Sequence, residues 1–67
     1  MNEEAFNMST RKLLKKIGIT AQREIEKAVW KAAEDGRLTS DRLPAQVRLS
    51  IDGLDLDITI EGEIQLS

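Results

Sequence analysis

The alternation of apolar and polar positions is clearest at the C-terminal end of the chain. Val47, Leu49 and Ile51 interleave with Gln46, Arg48 and Ser50, and Leu54, Leu56, Ile58 and Ile60 interleave with Asp55, Asp57 and Thr59. A period of two belongs to strands with one covered face. Asp52-Gly53 stands between the runs and suits the positive φ angles of a two-residue type I′ turn, which predicts an antiparallel hairpin. That turn sets Ile51 opposite Leu54, Leu49 opposite Leu56 and Val47 opposite Ile58, with Arg48 facing Asp57 on the polar side.

The N-terminal half has a helical period instead. Phe6, Leu13 and Ile17 share a stripe with Thr10, Leu14 widens it, and Asn2 or Asn7 offers an N-cap with Glu3 and Glu4 at the positive end of the helix dipole. Gly18 reads as a C-terminal stop and Thr20 as the cap of a second helix, whose narrow face is Ala21, Ile25, Ala28, Val29 and Ala32. The expected elements are helices over about 3–17 and 21–35, a loop over 36–44, and strands over about 45–51 and 54–66. The fold class is α+β, a single small domain over 1–67 with two N-terminal helices and a C-terminal hairpin.

Ile64 and Leu66 keep the parity of Leu54 to Ile60, which favours one long second strand over a third strand. Its partner then ends near Ala45, leaving residues 61–66 as an apolar edge to be covered by the loop before Pro44 or paired with another chain. Width points to the second option. Two helices, each about 10 Å across, overhang two strands spaced about 4.8 Å apart, whereas four of each match. The predicted assembly is a homodimer joined through the sheet edge, with Ile60, Ile64 and Leu66 as contact residues.

Composition narrows the classes of function. With 67 residues and no cysteine, the chain has no disulfide staple and is near the lower size for a single core. It contains 33% charged and 40% hydrophobic residues, the balance of a globular chain rather than a disordered one. No apolar run reaches a membrane span and the N-terminus is acidic where a leader would be basic, so a cytoplasmic location and no membrane contact are expected. The net charge of −2 hides an asymmetry: nine basic against seven acidic residues through Arg42, then Arg48 alone against five acids.

Arg11, Lys12, Lys15 and Lys16 form the candidate nucleic-acid surface, on a helix followed by a short turn and a second helix. The acidic pI of about 5.0 argues against nucleic acid, and a solvated, dipole-matched helix face is the favoured reading. Trp30 lies about 140° around its helix from Ile25, so it is either a hot spot for an unidentified protein partner or a cover for the first helix. Asp52, Asp55, Asp57, Glu61 and Glu63 make an acidic face without an EF-hand order, read as solvated rather than metal-binding. With no His, Cys or Tyr, no phosphate-cradling glycine loop and no base beside any serine, neither a catalytic set nor a cofactor site is expected.

The opening Met1 to Ser9, the stretch Lys15-Lys16-Ile17-Gly18-Ile19-Thr20 leading into Gln22 to Ala28, and the ending Asp52-Gly53-Leu54 to Ile64 together resemble a family of small bacterial proteins of unknown function. The resemblance implies a bacterial cytoplasmic setting and carries no activity to transfer. The resulting expectation is a non-enzymatic interaction module.

Overall fold

A computed structural model describes all of residues 1–67, in the order α1 (Glu3–Glu34), β1 (Arg42–Ser50) and β2 (Asp57–Gln65). The architecture is α+β, with one helix where two were expected.

The ends of α1 follow local chemistry. The Asn2 side-chain oxygen accepts from the Ala5 N–H at 3.0 Å, and Glu3 and Glu4 occupy the first turn. At the other end Gly36 has φ +70°, Gly36 N–H donates to Ala33 and Arg37 N–H donates to Ala32, which is a Schellman closure. Gly18 has neither a positive φ nor a break beside it. A glycine inside a helix costs about 1 kcal/mol relative to alanine, whereas two new termini would each leave four backbone groups without partners. The apolar stripe also runs through Gly18 in phase, from Leu14 and Ile17 to Ala21 and Ile25, so a single helix keeps one face. Thr20 is therefore an interior residue rather than a cap.

The hairpin is present, but its register differs by two residues from the expected one. Val47 pairs with Ile60, Leu49 with Ile58, and the ladder closes at Ser50 with Asp57. Asp52 keeps a negative φ while Gly53 has φ +89°, and Leu54 N–H donates to Ile51 at 3.2 Å. Positive φ at the third position is the type II pattern, whose hand splays strands, so pairing starts only beyond residues 51–56. A shift of two preserves side-chain parity, so the paired apolar positions stay on one face, Leu43 with Ile64, Ala45 with Gly62, Val47 with Ile60 and Leu49 with Ile58, while Ile51, Leu54 and Leu56 fall outside the ladder.

The same shift removes the unpaired strand end. Residues 61–65 pair with 42–46 of their own chain, and Leu66 N–H donates to Asp41 at 2.7 Å. The segment 42–44 is strand, not loop. That last bond makes the odd-numbered positions of β1 the hydrogen-bonded ones, so the nitrogen of Pro44 faces away from β2 and the ladder loses nothing.

Helix and sheet do not pack on one another. The molecule extends 51 Å along its longest axis, close to the roughly 48 Å of a 32-residue helix, and none of the 67 residues is buried.

Candidate interaction surfaces

Two apolar faces stand open. The first runs along α1 as Phe6, Thr10, Leu13, Leu14, Ile17, Ala21, Ile25, Ala28 and Ala32, about 120° wide at about 100° per residue. Phe6 is 54% exposed and Leu14 58%. Thr10 is the polar member, and its hydroxyl donates to the Phe6 carbonyl at 2.8 Å, so it brings no unpaired donor into the stripe. A shallow groove lies on this face between Leu13, Ile17 and Ala21, with Lys16 and Thr20 at its margin.

The second face is one side of the hairpin. Ile60 is 54% exposed, while Ile64, Leu66, Leu43 and Leu49 are half-buried by their strand neighbours alone. Ala45 opposite Gly62 makes a dip between the Leu43–Ile64 and Val47–Ile60 pairs. The expected contact residues Ile60, Ile64 and Leu66 thus share a surface, as a face rather than as an edge.

Trp30 is 67% exposed and covers no second helix, since none exists. It stands in a row with Met8 and Ile19 at intervals of 11 residues, on the side of α1 away from the main stripe. Reading the helical half as two pieces hid this row, because a break at Gly18 destroys the phase between Met8 and Trp30. An 11-residue self-comparison of the sequence brings it out.

Arg11, Lys12, Lys15 and Lys16 are all exposed and none forms an ion pair within the chain. With a single helix there is no helix-turn-helix corner to present them. They spread over about 140° of the helix surface rather than along one line.

The acidic residues of the hairpin do not converge into a metal-ligand set. Asp57 is held by Arg48, which lowers its carboxyl pKa below the ordinary carboxylate range and raises that of the guanidinium in return. Arg42 approaches Glu63 at 3.8 Å. Ser9 donates to the Phe6 carbonyl and Ser40 to the Arg42 carbonyl, so these hydroxyls serve backbone geometry. No helix is long and apolar enough to cross a membrane.

Fold and surface together define a small α+β chain of one long helix and one hairpin, with two apolar faces open and no convergent polar site. The chain belongs to the family of unknown function DUF6494, which it matches over residues 1–67. No curated protein and no solved structure matches it.

Proposed function

We propose that this protein is a non-enzymatic association module whose hydrophobic core forms only when it meets another chain, in the first place a second copy of itself. The observation that carries the reading is the absence of any buried residue alongside two continuous apolar faces. An isolated hairpin is marginal in water and a lone helix is not much better, because helices in proteins draw most of their stability from packing an apolar face. Exposed apolar faces of this length are characteristic of interaction surfaces. Residues 61–65 pair with 42–46 of their own chain, so the reading rests on the two apolar faces rather than on an overhanging strand end at 61–66. Trp30 remains available for a further protein partner, and a cytoplasmic location fits the cysteine-free composition.

Sedimentation equilibrium from micromolar to millimolar concentration, with thermal unfolding at each, tests the proposal. The expected result is a mass above 7.5 kDa and a midpoint that rises with concentration. A cooperatively folded monomer with a constant midpoint would overturn it. Nucleic-acid binding through Arg11, Lys12, Lys15 and Lys16 is not favoured, given the net charge of −2 and the spread of those side chains.

A further inference from the structure

Resting on that reading, we infer that two copies pair through antiparallel α1 helices, with the two-fold axis at the level of Ile19. The stripe positions Phe6, Thr10, Leu13 and Ile17 are spaced 4, 3 and 4 residues apart, and Ala21, Ile25, Ala28 and Ala32 repeat 4, 3 and 4. The spacing therefore reads the same from either end. Turning one helix end for end about Ile19 puts Phe6 level with Ala32 of the second copy, Thr10 with Ala28, Leu13 with Ile25 and Ile17 with Ala21.

Side-chain size selects the same orientation. The first half of the stripe is bulky and the second is largely alanine, so antiparallel copies set large against small in most layers and hold a constant interaxial distance. Parallel copies would set Phe6 against Phe6 at one end and Ala32 against Ala32 at the other, forcing the helices to splay. Phe6, Ile17 and Ala28, like Thr10, Ala21 and Ala32, recur every 11 residues, a period close to that of a straight helix, so the stripe stays on one side along its whole length.

The chain's own hairpin cannot take this role over the full helix. Nine-residue strands span about 30 Å, which is about 20 helical residues, so a folded-back hairpin would leave Phe6, Thr10 and Leu13 uncovered. The area agrees with a second copy: a compact chain of this mass exposes about 4,200 Å², against 6395 Å² here. The excess is more than twice the roughly 800 Å² that each partner contributes to a standard interface. Gly18 adds an independent sign. It is a mid-helix glycine beside the proposed axis, and a Cβ built on it meets nothing within 4 Å in the single chain, so the chain alone gives no steric reason for it.

The chain has no cysteine, so a single introduced one can carry a spin label. Ser9→Cys and Gln22→Cys, off both apolar rows, are labelled separately and the distance between copies is measured by double electron–electron resonance alongside the sedimentation mass. Antiparallel pairing sets Ser9 about 30 Å from its counterpart along the axis and Gln22 about 9 Å. A dimeric mass with that long and short pair is the expected result. A dimeric mass with two short distances, or with no distance in range at either site, overturns the antiparallel helix pair while the association reading stands. A monomeric mass throughout overturns both. In a third variant, Ile17→Lys, the dissociation constant should rise about tenfold or more, and an unchanged constant would also remove the helix seam.

Discussion

Arg48 and Asp57 are not cross-strand partners, yet the guanidinium donates two hydrogen bonds to the carboxylate, from Nε at 2.9 Å and from Nη2 at 2.7 Å. Arg48 stands opposite Thr59, and Asp57 opposite Ser50. The contact is therefore diagonal, as is that of Arg42 with Glu63, whose direct partners are Gln65 and Pro44. Right-handed strand twist brings such diagonal neighbours within reach of a long side chain.

The ion pair makes the polar face of the hairpin pH-dependent in a defined direction. The folded Asp57 carboxyl is held below its ordinary value by Arg48, so its contribution is present above that value and is lost as pH falls through the lowered one. Carbon-detected NMR titration should find the Asp57 carboxyl below the ordinary carboxylate range, and Arg48→Gln should return it there. Because both groups are solvent-exposed, the hairpin in Arg48→Gln should persist at neutral pH.

The cap at Asn2 should be worth about 1 kcal/mol, as for other side-chain N-caps. In Asn2→Ala, amide hydrogen exchange is expected to accelerate at Ala5 and Phe6 and to stay unchanged beyond the next turn. Uniform acceleration along α1 would show the helix to be one cooperative unit from its first residue.

Gly36→Ala places a Cβ in the left-handed region, at φ +70°, and should lose about 1 kcal/mol through strain at the Schellman closure. Gly18→Ala has the opposite sign for the single chain, gaining about 0.5 to 1 kcal/mol of helix propensity with no clash. Circular dichroism of the two variants at micromolar concentration should separate them in opposite directions.

Ile60 tests whether the sheet face is covered in the assembled state. At 54% exposure, Ile60→Thr should change the hairpin of a single chain by about 0.5 kcal/mol or less. If the face is covered on association, the same change should weaken the dissociation constant by about tenfold, measured by sedimentation.

The approximate strand regions, the side-chain parity of the hairpin, an N-cap at Asn2 or Asn7 and the end of the helical half near residue 35 were all legible in the sequence, because each rests on residues close together in the chain. Helix number was legible too, in the unbroken phase of Leu14, Ile17, Ala21 and Ile25, but Gly18 outweighed it as a punctuation mark. The residues of the association surfaces were visible as apolar positions. The unpaired overhang expected at 61–66 is absent, since it rested on a turn that the chain does not make.

The sequence by itself determined which side chains share a face, through periods of two and 3.6 that any register shift of two residues leaves intact. Only the three-dimensional structure decided the hand of the turn at Gly53, the pairing of residues 61–65 with 42–46, and the separation of helix from sheet. Those depend on backbone torsions and on contacts between residues far apart in the chain, where the difference between a type I′ and a type II turn moves every pair along two strands.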